Sequence, residues 1–140
     1  MARNTNREAC NYDQLFAGEV DSPVTIVVGA AGAISIKRGD VLENIVPATV
    51  VAGAVVNGAP AAKWNRIADE AVTANMYAIA AEDAEVGAGG SKTIVAYRDG
   101  EFNINKLRFA TGKTAAGSEL VLGEKGIVLR SAASGTVTNS

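Results

Sequence analysis

The chain has 140 residues, with 13 basic and 15 acidic side chains, so it is long enough for one domain but lacks the positive field that attracts nucleic acids and anionic membranes. It contains no histidine, which removes the commonest general base and the commonest transition-metal ligand. The composition therefore predicts no nucleic-acid or membrane partner and argues against most classes of enzyme.

The first 22 residues are predicted to form a flexible polar arm, because their large apolar side chains are too few to build a core. The arm has no apolar stretch of the kind that a secretion signal requires, so we expect the protein to be made in the cytoplasm. Cys10 lies in this arm and is predicted to be an incidental thiol, since a single cysteine cannot form an internal disulfide.

Residues 23–56 are predicted to form β-strands. The stretch PVTIVVG (23–29) begins with a proline, which is tolerated at the first position of a strand. The stretch AISIKRGDVLENIV (33–46) predicts two short strands joined at Arg38–Asp40 by a hairpin or a tight corner. The run ATVVAGAVV (48–56) fits a buried strand or a strand at an interface, and its periodicity does not distinguish the two.

One segment carries a helical pattern, PAAKWNRIADEAV (60–72). The apolar side chains that recur with the spacing of one helix face are Trp64, Ile67, Ala68, Ala71 and Val72. A short surface helix satisfies this pattern, and so does an irregular loop held in place by Trp64. The sequence leaves both alternatives open.

The stretch AYRDGEFNINKLRF (96–109) carries a strong local turn signal. Two β-rich runs flank the pair Asp99–Gly100, which is typical of a tight β-hairpin. On the second run, Phe102, Ile104 and Lys106 are predicted to share one face. The stretch brings no base, nucleophile or metal ligand with it, so an architectural role is the simpler hypothesis.

The C-terminal region predicts a short helix followed by a strand. The stretch SELVLGEKG (118–126) fits one helical turn, with Ser118 as its N-cap and Gly126 as its terminator, although Gly123 weakens the helix. The stretch GIVLR (126–130) then predicts a strand. Residues 132–140 are predicted to be disordered.

Two pairs of polar residues are the nearest candidates for catalysis, Ser35 with Lys37 and Glu82 with Asp83. Residues two apart on a strand point to the same face, so Ser35 and Lys37 are more simply explained as neighbours on a solvated surface. Glu82 and Asp83 are adjacent, so on a strand they point to opposite faces and do not converge on one substrate. We therefore predict that the protein is not an enzyme and binds no cofactor or metal.

Four stretches, taken together and in chain order, suggest a family. They are PVTIVVGAAGAISIKRGDVLENI, AIAAEDAEVGAGG, AYRDGEFNINKLRF and EKGIVLR. This set resembles the head decoration proteins of tailed bacteriophages, of the kind found in phage lambda, over roughly residues 15–130. The motifs that recur in that family fall here on Lys37–Gly39, Ala78–Asp83 and Gly100–Asn103.

The resemblance implies a fold and a function. The implied fold is a mainly β domain of β-tulip or small barrel-like form, with one or two short helices, which we expect over residues 23–131. The implied function is structural: a homotrimer on the outer surface of the expanded phage head, at its local three-fold positions. There it would bind the major capsid protein and stabilise the shell against packaged DNA, so the implied location is the virion.

The resemblance also implies where contacts are made. In the family the N-terminal arm orders on the shell and adds a strand to a capsid sheet. The expected capsid contacts are Leu15, Phe16, Val20 and Val24. The alternative is that these side chains merely begin the domain core. The expected trimer contacts come from the small apolar run, because an exposed apolar patch needs covering; they are Val50, Val51, Val55 and Val56.

Two other classes of protein stay open. The stretch ISIKRGDVLENI (34–45) also resembles the corner of biotinyl and lipoyl carrier domains, in which a lysine on an exposed hairpin is modified. Lys106 is the hairpin lysine that this sequence offers, although its neighbours do not match the usual context. A different small β-barrel binding module belongs to the same alternative. An enzyme with a Ser35–Lys37 dyad is the third.

Overall fold

The computed structural model describes residues 14–46 and 48–131. Over these residues the protein is mainly β, with a sheet curled into a half-barrel and one short α-helix. The predicted mainly β domain with one or two short helices is therefore confirmed. Cys10 and the tail predicted to be disordered, residues 132–140, lie outside the described residues.

The described elements follow one another along the chain with short connections. They are β1 (Phe16–Val20), β2 (Val24–Val28), β3 (Ile34–Ile36), β4 (Val41–Asn44), β5 (Ala48–Val51), β6 (Ala54–Asn57), β7 (Asn65–Arg66), β8 (Met76–Ala80), β9 (Ala84–Val86), β10 (Lys92–Tyr97), β11 (Gly100–Asn103), α1 (Glu119–Glu124) and β12 (Ile127–Arg130). Two 3-10 helices, Ile104–Lys106 and Ala115–Gly117, lie between β11 and α1.

The strands form two larger sheets and two separate pairs. The order is β1-β11-β12 in the three-stranded sheet and β2-β10-β8-β4-β7 in the five-stranded sheet. The separate pairs are β3-β9 and β5-β6. Strands β11 and β12 run parallel, which requires the chain between them to cross over, and α1 lies in that crossover.

Strand β8 separates two hydrophobic cores, because successive side chains of a strand point to opposite faces. Tyr77 and Ile79 pack in the first core, together with side chains from α1, β11 and β12. Ala78 and Ala80 pack in the second core, with Trp64 and side chains from β2, β3, β9 and β10. Both faces of β8 are therefore buried.

The Arg38–Asp40 segment is a tight corner and not a hairpin. Strand β3, before it, pairs with β9, whereas β4, after it, pairs with β8, so the chain changes sheets at this point. Gly39 has a φ of +97°, which glycine adopts without strain. A Cβ at this position would lie 2.6 Å from the carbonyl oxygen of Lys106. The corner therefore requires glycine for its backbone conformation and for the close approach of a second segment.

Asp40 joins three parts of the chain at this corner. Its side chain is fully buried, and its two oxygens lie 3.1 Å from Nε of Arg66 and 2.9 Å from Nε of Arg108. One oxygen also accepts a hydrogen bond from the backbone N–H of Lys37 at 2.9 Å. A buried carboxylate is tolerated only when it is paired in this way. Asp40 therefore fastens the corner to β7 and to the segment that follows β11.

The turn at Asp99–Gly100 does not form a hairpin, so this prediction is wrong. Strand β10 pairs with β2 and β8, whereas β11 pairs with β1 and β12 in the other large sheet. Gly100 has a φ of +135°, and a Cβ there would lie 2.8 Å from the Cα of Val20. The Asp-Gly pair sets a sharp bend, but the pairing of the flanking strands is decided by partners that are distant in the sequence.

The second β-rich run is also shorter than predicted. Strand β11 ends at Asn103, whose side chain accepts a hydrogen bond from the backbone N–H of Asn105 at 3.1 Å. This contact caps the 3-10 helix Ile104–Lys106, because asparagine competes in this way with regular strand pairing. Phe102 is fully buried and Lys106 is exposed, so Phe102, Ile104 and Lys106 do not share a strand face.

The segment 60–72 is an irregular loop held in place by Trp64, which was one of the two alternatives. The backbone N–H of Trp64 donates to the carbonyl of Val27 at 2.7 Å, and Gly29 N–H donates to the carbonyl of Trp64 at 2.9 Å. The indole is buried in the second core, and the guanidinium of Arg98 lies 5.4 Å from the centroid of its ring. Pairing of this backbone with β2 and β4 overrides the helical spacing of the side chains.

The apolar run after residue 47 forms a hairpin of two strands rather than one strand. Ala52 and Gly53 make its turn with φ of +54° and +83°, and a pair of positive φ values matches the twist of a two-residue hairpin. Strand β5 pairs with β6 alone among the described strands, so the hairpin stands apart from the larger sheets.

The folded domain begins before residue 23, which corrects the predicted arm of residues 1–22. Leu15 is only 2% exposed and lies in the first core, and β1 pairs with β11. The carbonyl of Leu15 also accepts a hydrogen bond from the backbone N–H of Asn103 at 2.7 Å. Residues 15–20 therefore belong to the domain, whereas residues 1–13 lie outside the described part of the chain.

The predicted C-terminal helix and strand are confirmed as α1 and β12. Ser118 stands at the predicted N-cap position, but its hydroxyl makes no capping bond to α1. It accepts a hydrogen bond from the backbone N–H of Ala71 at 2.8 Å instead. Gly126 ends the helix with a φ of +92°, as its role of terminator requires.

We expect Gly39→Ala to lower the free energy of unfolding by about 1–3 kcal/mol, because alanine is strained at a positive φ and its Cβ meets the Lys106 carbonyl. The matched control is Gly32→Ala, since a Cβ at position 32 has no heavy atom within 4 Å. Urea denaturation followed by circular dichroism measures both variants. Equal unfolding midpoints for the two would contradict this description of the corner.

Candidate functional site

Ser35 and Lys37 lie on one surface, as predicted, and both contact Glu85. The hydroxyl of Ser35 donates to the Glu85 carboxylate at 2.6 Å, and Nζ of Lys37 lies 3.7 Å from the same oxygen. The Lys37 and Glu85 side chains are largely exposed. Because the Ser35 hydroxyl donates to Glu85 and not to Lys37, the three residues form a hydrogen-bonded surface cluster rather than a dyad.

Glu82 and Asp83 contact different segments. The carboxylate of Glu82 accepts a hydrogen bond from the backbone N–H of Val95 at 2.7 Å. The carboxylate of Asp83 accepts one from the backbone N–H of Arg38 at 2.8 Å. The two side chains do not converge, and each ties the end of β8 to a neighbouring segment.

A carboxyl pair that the sequence did not single out forms between Asp21, after β1, and Asp99, before β11. A hydrogen bond that the protonated Asp99 carboxyl donates to the Asp21 side chain raises the pKa of Asp99 above its ordinary value of 3.8, and burial and the charge of Asp21 act in the same direction. The two residues are far apart in the sequence, so no local pattern could have indicated the pair. We therefore expect the stability of this bend to depend on pH.

Tyr77 links three segments through its buried hydroxyl. The hydroxyl accepts a hydrogen bond from the backbone N–H of Val72 and donates one to the Glu43 carboxylate, both at 2.8 Å. Burial, with a contribution from Glu43, raises the pKa of Tyr77 to about 12. Because both bonds are made within the chain, the hydroxyl serves as a structural link.

Three kinds of site need a particular geometry: a metal site, a membrane-spanning helix and the modified lysine of a carrier domain. Within residues 14–46 and 48–131, no three metal-ligating side chains are grouped so that they could hold a metal ion. No helix in this same part of the chain is long and apolar enough to cross a bilayer. Lys106 lies in a 3-10 helix, whereas a carrier lysine stands on an exposed hairpin.

The four residues predicted to contact a capsid differ in exposure. Leu15 is buried, so the alternative that it begins the domain core is correct for this residue. Phe16 and Val24 are 37% and 39% exposed, and Val20 is half-buried against the first core. We call Phe16, Val20 and Val24 the Phe16 surface.

An aromatic cluster fixes the position of the Phe16 ring. Its centroid lies 5.1 Å from that of Tyr97, edge to face, and 6.0 Å from that of Phe102. The guanidinium of Arg38 lies 5.4 Å from the same centroid. Such contacts orient a partly exposed ring. Sequence patterns could not indicate the roles of Arg38 and Tyr97, because the cluster joins segments that are distant in the chain: β1, the Arg38–Asp40 corner and β10.

The four residues predicted for trimer contacts are all exposed, but they lie on the two opposite faces of one hairpin, with Val50 and Val55 on one face and Val51 and Val56 on the other. Val50 and Val55 are cross-strand neighbours and are each 72% exposed, while Val51 is 57% and Val56 is 47% exposed. An isolated two-stranded hairpin is marginally stable at best, and an exposed apolar patch marks an interaction site. We call this element, residues 48–57, the valine hairpin.

Comparison of the chain with known protein families gave no match, and comparison with curated protein sequences gave none either. The function of the chain is therefore argued from its own residues and geometry. The Phe16 surface and the valine hairpin together are the candidate site, because both expose apolar side chains.

We expect Asp21→Asn to change how stability depends on pH. The contact with Asp21 raises the pKa of Asp99 in the native state. At pH values just above 3.8 the native state therefore binds more protons than the unfolded state. The contribution of this contact to the free energy of unfolding then decreases as the pH rises. The free energy of unfolding of Asp21→Asn, relative to the original chain, should therefore increase from about pH 3 to about pH 7. Urea titrations across this range measure it, and a constant difference would contradict the assignment.

Proposed function

We propose that the chain is a structural decoration protein of a phage head. In this proposal it binds as a trimer to the major capsid protein on the outer surface of the expanded shell and stabilises the shell against packaged DNA. The proposal starts from the resemblance of four sequence stretches to head decoration proteins of tailed bacteriophages. The observation that supports it is that the motifs contact one another in two pairs. The Lys37–Gly39 corner contacts the end of β8, and the Gly100–Asn103 motif contacts the final strand, β12. The salt bridges of Asp40 connect the two pairs of motifs.

The first pair joins the Lys37–Gly39 corner to the end of β8. The backbone N–H of Gly39 donates to the carbonyl of Ala80 at 2.9 Å. The guanidinium of Arg38 donates to the carbonyl of Ala81 at 2.9 Å, and the Arg38 N–H donates to Asp83. These contacts explain why the two motifs should occur together in proteins of one fold.

The second pair joins the Gly100–Asn103 motif to the final strand. Strands β11 and β12 pair in parallel, and Gly100 N–H donates to the carbonyl of Gly126 at 2.9 Å. Arg108, in the same stretch as Gly100, reaches the first pair through Asp40 and through its N–H, which donates to the carbonyl of Gly39 at 3.0 Å. Motifs that recur because they build one fold should contact each other, and these do.

The exposed surfaces supply the binding roles. We assign the capsid contact to the Phe16 surface, because β1 is an edge strand and its outer edge is suited to pairing with a strand of a partner. Leu15, which we expected to touch the capsid, instead holds β1 in place from the core. We assign the trimer contact to the valine hairpin.

A trimer gives weak contacts a useful combined strength. Three copies make three equivalent contacts with the shell, so the second and third contacts form at a high effective concentration. No reactive side chain is needed for this function. The carrier alternative is less well supported, because Lys106 is not on a hairpin, and the dyad alternative lacks the Ser35–Lys37 hydrogen bond.

We expect the full chain to co-sediment with expanded heads of the phage that encodes it and not with unexpanded heads. Val24→Glu should weaken this binding by about 10-fold or more, since a charge on the apolar contact costs at least about 1.4 kcal/mol. Val72→Glu is the matched control, because Val72 is also exposed but lies outside the Phe16 surface. Equal binding to both kinds of head, or to neither, would refute the proposed function.

The double variant Val50→Asn with Val55→Asn tests the trimer contact. We expect sedimentation equilibrium to show a trimer for the original chain and a shift towards monomer for the variant, because polar side chains replace the most exposed part of the apolar surface. Circular dichroism should show that the fold is retained, as both side chains lie outside the core. An unchanged trimer would place the interface elsewhere.

A further inference from the structure

The valine hairpin needs a partner that covers both of its faces. Val50 and Val55, on one face, are each 72% exposed, and Val51, on the other face, is 57% exposed. A flat contact, such as one hairpin against another at a symmetry axis, would cover one face and leave the other in water. A groove with two walls would cover both faces at once.

The groove between α1 and β12 has two such walls. Its volume is about 590 Å³. Ala116, Leu120 and Gly123 line it on the helix side, and Val128 and Leu129 line it on the strand side. Leu120 is 77% exposed, more than any other large apolar side chain in the described part of the chain. Because Leu120 and the valines all stay exposed, the hairpin of the same chain does not fill this groove.

A second groove, of about 570 Å³, is less suitable for the hairpin. Val24 lines it, so its occupant would cover part of the Phe16 surface. Pro60 and Ala61, which follow the hairpin along the chain, line it as well. The described lining of the α1–β12 groove includes no residue of the Phe16 surface or of the valine hairpin. Filling the α1–β12 groove therefore leaves both surfaces available.

The α1–β12 groove is acidic as well as apolar. Glu119 and Glu124 line it, and no cation pairs with either carboxylate among the described residues. Lys125, the next residue along the chain, donates to the carbonyl of Thr73 at 2.6 Å. An occupant that is apolar at its tip and cationic at its base would complement this groove.

The valine hairpin matches that description. Residues 45–62 contain no charged side chain, so the hairpin brings no like charge towards the groove carboxylates. Glu43, before this stretch, accepts hydrogen bonds from two side chains of its own chain at 3.2 and 2.8 Å. Lys63, after it, donates to the backbone carbonyls of Gly89 and Gly90 at 3.3 and 3.2 Å and pairs with no carboxylate among the described residues.

Copies related by a three-fold axis touch through a heterologous interface, in which one surface of each copy meets a different surface of the next. With the trimer of the proposed function as the premise, we propose that the valine hairpin of each copy inserts into the α1–β12 groove of the next copy. The valines of the two hairpin faces then lie against the two walls and cover Leu120. Lys63 lies beside the carboxylates of Glu119 and Glu124, and salt weakens this outer part of the contact.

A mixture of two cysteine variants tests the insertion. Both carry Cys10→Ser; one also carries Val51→Cys and the other Leu120→Cys. After the copies have exchanged, we expect a short bismaleimide to link the two variants to each other and neither variant to itself. Val72→Cys in place of Leu120→Cys is the matched control, because Val72 is exposed but does not line the groove, and it should give no link. Linkage of Val51→Cys to itself, or none in the mixture, would overturn the proposal.

Sedimentation equilibrium separates this proposal from the function on which it rests. Leu120→Glu should shift the trimer towards monomer, because it adds a third carboxylate to the groove, whereas Val72→Glu should leave the trimer unchanged. A trimer that persists in Leu120→Glu would overturn the insertion and leave the proposed function intact. An original chain that is monomeric would contradict both. Linked trimers that do not bind expanded heads would contradict the decoration function and support the insertion.

Discussion

The buried carboxylate of Asp40 is the contact on which the rest of the domain depends. It pairs with Arg66 and Arg108, and the backbone around it is equally engaged, since Ala80 N–H donates to the Asp40 carbonyl at 2.9 Å. A buried charge that loses its partner costs about 3–5 kcal/mol. The corner, β7, β8 and the Arg108 segment therefore have to come together for any of them to be stable. The two cores lie on the two faces of β8, which this contact fixes.

Several polar side chains of the domain bond within the chain, whereas apolar side chains of the Phe16 surface and the valine hairpin stay exposed. The Ser35, Glu82, Asp83 and Tyr77 side chains each bond within the chain. The side chains of Val50 and Val55 and part of the Phe16 side chain are exposed. The chemistry of the proposed function is accordingly that of association.

Local sequence patterns predicted the positions of strands and helices better than they predicted which strands pair with one another. Periodicity and turn residues indicated β2, α1 and β12 because those signals lie within each segment. The Asp99–Gly100 bend was mistaken for a hairpin turn because the pairing of its flanking strands depends on distant residues. For the same reason the sequence could not reveal that Leu15 is buried, that Arg38 lies over Phe16 or that Asp21 meets Asp99. The apolar run 48–56 left a buried and an interface strand open, and its valines are exposed.

Native-state amide hydrogen exchange on the free protein tests the central claim most directly. The account predicts that the N–H groups of Gly39, Ala80 and Arg108 exchange only when the whole domain unfolds, so that their exchange free energies equal the free energy of unfolding from urea titration. The N–H groups of the valine hairpin should exchange through local opening at lower free energies. If the amides at the Asp40 corner exchange as readily as those of the hairpin, the corner does not hold the domain together.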